Sequence, residues 1–233
     1  MTELASSEVA SSKVARRAAT PVAGAIAGIV FAVLFSVSMT IFRQTMGDVA
    51  SDTGAWLTED TESMKFALAL VPFAGLAFLW FIAVARERLG RFEDQFFSTV
   101  FIGSGLLFLA MVFAGAATAG AIVAAGANDP AGFASSTTYS YAREAVTQIL
   151  GVYALRMAAI FQLSQASLWL RTRVMPRWMA LITIVVALLL LFVFTQSWWI
   201  VLVFPAWVLL VSAYILIAQP AQDQRGEAGR RPS

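Results

Sequence analysis

The sequence predicts an all-α fold: a polytopic transmembrane bundle of six helices with both ends on the cytoplasmic side. Three observations predict it. The chain is 59% hydrophobic and 13% charged, where a soluble domain carries about 25% charged residues. Its charges gather at the two ends and in a few short segments. The apolar runs between them approach the ~20 residues that cross a hydrocarbon core of roughly 30 Å as a helix. Lys and Arg are also distributed unequally between alternate connecting segments, as they are in membrane proteins of fixed orientation. A helix suits lipid because it satisfies its own backbone hydrogen bonds.

Residues 1–18 are small and polar and end in Lys13, Arg16 and Arg17, which predicts a disordered cytoplasmic tail. Residues 19–218 form the predicted six-helix transmembrane domain, and 219–233 a second disordered cytoplasmic tail. The first span runs from about Thr20 to Phe42, too long for the core of a signal peptide, and reads as an anchor that stays. The second runs from Lys65 to Val84, the third from Phe96 to Ala124 and the fourth from Ala145 to Leu170. The fifth, Trp178 to Phe194, and the sixth, Trp198 to Ala218, are joined only by Thr195, Gln196 and Ser197, which demands a tight antiparallel hairpin. Pro72 and Pro205 interrupt the second and sixth spans and predict kinks. Trp56, Trp178, Trp198 and Trp199 fall near span ends and read as an aromatic belt at the membrane interfaces. Ala127 to Ala142, rich in Ser, Thr, Tyr and Gly, reads as a flexible outer loop.

Orientation follows from the basic residues near span ends. Lys13, Arg16 and Arg17 precede the first span; Arg86, Arg88 and Arg91 follow the second. Arg171, Arg173 and Arg177 follow the fourth; Arg225, Arg230 and Arg231 follow the sixth. The opposite side holds only Arg43, Lys65 and Arg143, and its first loop is acidic, with Asp48, Asp52, Glu59, Asp60 and Glu62. An omitted span would break this alternation. The expected location is therefore the inner (plasma) membrane, multi-pass, with both termini cytoplasmic. The 14 Arg against 2 Lys hint at a GC-rich bacterial genome.

Composition excludes several chemistries. There is no Cys and no His, so disulfides, the usual zinc and haem sites and His-dependent triads are ruled out. No P-loop, dinucleotide fingerprint or chain of intramembrane carboxylates is present. No metal and no cofactor is expected. The pI of 9.3 comes from arginines beside the spans and argues for no nucleic-acid partner. The expected partners are the lipid bilayer and either another membrane protein or further copies of the chain.

Arg156 is the leading candidate for a binding residue. It lies near the middle of the fourth span, where a cation costs about 2.5–3.5 kcal/mol on insertion scales, and no Asp or Glu lies at comparable depth. Tyr153, Arg156, Ile160, Ser164 and Ser167 share one side of that helix, and Gln148 and Gln162 lie on another. A helix polar on two sides belongs in the middle of a bundle. Arg156, Tyr153, Ser164 and Ser167 then form either an anion or carboxylate site in a central cavity or a structural set satisfied by carbonyls and amides. Gly24 and Gly28, in GxxxG spacing, and Gly103 and Gly105 read as close helix packing. Glu93 and Asp94 open the third span, where acids suit the helix dipole.

The stretches Pro72-Phe73-Ala74-Gly75, Phe92-Glu93-Asp94-Gln95-Phe96-Phe97 and Gly103-Ser104-Gly105-Leu106-Leu107-Phe108 resemble a group of uncharacterised integral membrane proteins of actinobacteria. The resemblance covers the second and third spans, and implies a six-helix bacterial membrane protein with no assigned activity. Three classes of function remain open: a small transporter or channel (or a subunit of one) with a central site at Arg156, an accessory subunit of a membrane complex, and a lipid-acting membrane enzyme. Of these the enzyme has least support, since only Glu93, Asp94 and the acidic first loop offer carboxylates.

Overall fold

A computed structural model describes residues 2–47, 52–89, 95–173, 175–192 and 198–228, with side chains for most of these. The described residues are helical throughout, with short connections and no strand. The elements are α1 (Thr2–Met46), α2 (Trp56–Glu59), α3 (Thr61–Leu89), α4 (Gln95–Gly126), α5 (Pro130–Ala134) and α6 (Thr137–Gln148). A π-helical segment (Ile149–Ala154) joins α6 to α7 (Leu155–Thr172). Then come α8 (Arg177–Phe192), a 3-10 segment (Trp198–Leu202) and α9 (Val203–Ala228). The bounds of α1 and α9 extend into 2–18 and 219–228, stretches that composition alone assigns to tails; both contain Ala, Glu and Arg, which favour helix intrinsically.

Five helical stretches are long and apolar enough to cross a membrane: Val22–Met46, Thr61–Arg86, Ser98–Gly126, Thr137–Thr172 and Trp199–Ala218. The sixth expected span is represented by α8, whose 16 residues measure about 24 Å at 1.5 Å per residue. That falls short of the roughly 30 Å hydrocarbon core. The expected hairpin at Thr195–Ser197 lies outside the described residues, as do Glu93 and Asp94.

Each helix buries one stripe. In α1, Phe31, Phe35, Met39, Phe42 and Met46 recur every three or four residues and are buried, while Ile26, Val30, Val33 and Val37 face outward. α1 packs on α3 and α9, α4 on α7 and α3, and α8 chiefly on α7. Phe31 and Phe35 of α1 meet Phe78 of α3, Phe108 of α4, Phe161 of α7 and Phe204 of α9 in one aromatic core. Ring centroids are 4.7 Å apart for Phe31–Phe78 and Phe108–Phe204, and 5.5 Å for Phe78–Phe161. Tilted and edge-on contacts of this kind add about 0.5–1.5 kcal/mol per pair beyond the area they bury. Polar links also cross between helices within the core: Ser38 Oγ donates to the Ala67 carbonyl at 2.9 Å, and Trp207 Nε1 donates to Thr183 Oγ1 at 2.9 Å.

Glycines mark close approaches. A Cβ on Gly24 would collide with Val84, and one on Gly28 with the Ser212 hydroxyl and the Phe81 ring. One on Gly105 would meet Ile82 and Phe161, whereas one on Gly103 would meet nothing within 4 Å. α1 thus lies against α3 and α9 at Gly24 and Gly28, and α4 against α3 and α7 at Gly105.

Four sequence-based expectations change. Residues 127–142 are not a flexible loop. Asp129 caps α5 by accepting from the Gly132 N–H, and Ser136 caps α6 by accepting from the Tyr139 N–H. The fourth membrane helix therefore starts at Thr137 rather than Ala145 and contains 36 residues. Trp56 is not at a lipid interface; it is 4% exposed, because its indole N–H finds a protein partner. Pro205 does not interrupt a helix. It is the third residue of α9, directly after the 3-10 segment, and in a first turn the missing N–H has no intrahelical partner to lose.

Candidate functional site

Two polar regions stand out. The first closes the end of the bundle where α1 finishes and α3 and α6 begin. α1 stops at Gly47, whose φ of +64° is costly for any residue with a Cβ. This leaves the last carbonyls of α1 in need of donors. Arg143, one turn into α6 from Tyr139, supplies them. Its Nη2 donates to the Met46 carbonyl at 3.2 Å and the Gly47 carbonyl at 2.9 Å. Its Nη1 donates to Thr147 Oγ1 at 2.9 Å, and its Nε to Asp52 Oδ2 at 2.8 Å. The pair is deeply buried: 2% exposed for the Arg143 side chain and 5% for Asp52.

Asp52 is saturated in turn. Its Oδ2 also accepts from the Tyr139 hydroxyl at 2.6 Å, and its Oδ1 from the Gly54 N–H at 2.9 Å. Trp56 Nε1 donates to the Tyr139 oxygen at 2.9 Å. Gly54 (φ +72°) turns the chain where a Cβ would strike Ala134. The segment between α1 and α3 is thereby strapped to α6 by Arg143, Asp52, Tyr139, Trp56 and Thr147. Three of the roughly four acceptor sites of the carboxylate are thereby occupied within the protein. The arrangement is an electrostatic latch.

Beside the latch, an open cleft of about 410 Å³ lies between the end of α1 and the start of α3. Ile41, Gln44, Thr45, Asp60, Glu62, Ser63 and Phe66 line it. Lys65 Nζ pairs with Glu62 at 2.7 Å on the exposed surface nearby. Among the described residues no group of three or more Asp or Glu is placed to hold a metal ion.

The second region is the fourth membrane helix around Arg156. The π-helical turns at 149–154 precede it and include Gly151, where a Cβ would meet nothing within 4 Å. Arg156 is half-buried, and its Nη1 donates to the Val152 carbonyl one turn back at 3.1 Å. That carbonyl also accepts the Leu155 N–H. Part of the arginine's hydrogen bonding is therefore met by the π-helical turn of its own helix. Tyr153 is 57% exposed. Ser164 is buried and donates to the Ile160 carbonyl at 2.9 Å, while half-buried Ser167 donates to the Leu163 carbonyl at 2.8 Å. Tyr153 thus projects outward, and both serine hydroxyls bond their own helix. Gln148 donates to Glu144 at 2.8 Å.

The latch is what the sequence reading missed. Arg143 was counted as a loop cation and Tyr139 as loop. The available signal was Tyr139-x3-Arg143-x3-Thr147, three polar residues on one helical face, opposite an acidic loop.

No protein-family model matches the chain, and neither a curated protein nor a solved structure gives a significant match.

Proposed function

We propose that this is an inner-membrane protein of six helices, with both ends in the cytoplasm, that serves as an accessory subunit: it binds another membrane protein within the bilayer. The observation that carries this reading is the outer face of α4. Ala110, Ala114, Ala117 and Ala121 follow one another at helical spacing and are all exposed. Leu106, Leu107 and Phe113 flank this stripe on α4, whereas the outward faces of α3 (Phe66, Phe73, Leu76 and Trp80) and α8 (Leu181, Val185, Leu188 and Phe192) are bulky throughout. A face of small residues lets a second helix approach closely, and in lipid that contact is a main source of helix association.

A transporter with a central site at Arg156 has less support. The middle of the bundle is filled by Phe31, Phe78, Phe108, Phe161 and Phe204, and Arg156 lies at the half-buried flank of its helix. Site-specific photo-crosslinking in native membranes tests the proposal. A crosslinker at Ala114 should give a discrete protein adduct, and one at Val185 should not. Equal adduct yields at the two positions would remove the support, as would solute uptake by proteoliposomes that Arg156→Gln abolishes.

A further inference from the structure

Inside the bundle, among the described residues, Gln162 has no hydrogen-bond partner for either Nε2 or Oε1, and Gln165 has none for Oε1. Gln162 is 0% exposed and Gln165 3%. A buried amide in apolar surroundings is costly unless something pairs with it, and native proteins seldom leave such groups unpaired. Both residues lie on α7, three positions apart, so they are neighbours on the helix surface.

The surroundings favour a small guest. Trp207 of α9 lies along this part of α7, with its ring 6.5 Å from that of Phe161 and 6.3 Å from that of Trp169. Its indole N–H is committed to Thr183 and cannot serve the amides. The other α7 residues in the buried arc include Ala158, Ala159 and Ala166, which offer the amides no polar side chain. Ser212, the remaining unpartnered buried group among the described residues, differs: its hydroxyl lies where a Cβ of Gly28 would fall, a contact too close to admit anything.

We propose that Gln162 and Gln165 form an internal hydration site on α7, occupied by ordered water. Gln162 offers two N–H donors and one carbonyl, and Gln165 a second carbonyl. That matches the roughly three hydrogen bonds a buried water makes. The site needs no charge and no titratable group, which fits its neutral surroundings.

X-ray hydroxyl-radical footprinting of the full chain in nanodiscs tests this, because radicals formed at bound water oxidise the side chains beside it. Phe161 and Trp207 should be oxidised several-fold faster than Phe31 and Phe35, which are as deeply buried. The excess should disappear in the Gln162→Leu, Gln165→Leu double variant. Equal rates in the wild type would overturn the proposal, and so would an excess that persists in the variant. If the double variant does not fold, the wild-type comparison decides alone.

Discussion

Arg143 carries the clearest single-residue consequence. Removing one member of a buried, hydrogen-bonded ion pair leaves an uncompensated charge, at a cost of about 3–5 kcal/mol. Arg143→Ala and Asp52→Ala should each lower the melting temperature in detergent markedly. The double variant should lose less than the sum, because the two charges interact directly. Full additivity in that cycle would mean the latch does not form. The glycines separate in the same way. Gly28→Val must displace Ser212 and Phe81 and should destabilise by about 1–3 kcal/mol, the usual range for overpacking. Gly103→Ala meets nothing and should be neutral or stabilise by up to about 1 kcal/mol through helix propensity. Sequence spacing suggested both as packing positions, since GxxxG and Gly-x-Gly do not say which neighbour faces each residue.

At the scale of elements, the fourth membrane helix shows what hydropathy reads and what it does not. Its existence was legible from Ala145 to Leu170. Its first two turns were not, because Thr137 to Glu144 is polar and only the Ser136 cap and the contacts of Tyr139 and Arg143 reveal it as helix. The π-helical turns were invisible for a related reason: they alter hydrogen-bond register without altering composition. Arg156 should tax this element alone. In a translocon insertion assay on residues 137–172, Arg156→Leu should lower the apparent insertion free energy by about 3–4 kcal/mol, from the cost of a central cation and the gain from leucine. No change would place Arg156 outside the hydrocarbon core. Among the helices that correspond to the six expected spans, α8 is the shortest.

For the whole molecule, the all-helical architecture and its membrane-suited helices could be read from apolar run length and charge placement. The core could not, because several phenylalanines face outward while others form the central cluster, and only packing distinguishes Phe73 (63% exposed) from Phe78 (0%). The candidate site was legible in part. Arg156 stands out as a cation within an apolar stretch, but the Arg143–Asp52 latch joins residues 91 positions apart, a pairing that one sequence does not show. The proposed orientation places this latch outside and both ends inside. Because the chain has no cysteine, single substitutions can be labelled without background. The most direct measurement is therefore reaction of Thr58→Cys, Tyr141→Cys, Ser6→Cys and Ser233→Cys with a membrane-impermeant maleimide. In intact cells with a permeable outer layer, Thr58→Cys and Tyr141→Cys should react at once, and Ser6→Cys and Ser233→Cys only after the membrane is opened. Labelling of either terminal cysteine in intact cells would contradict the six-helix, ends-inside account.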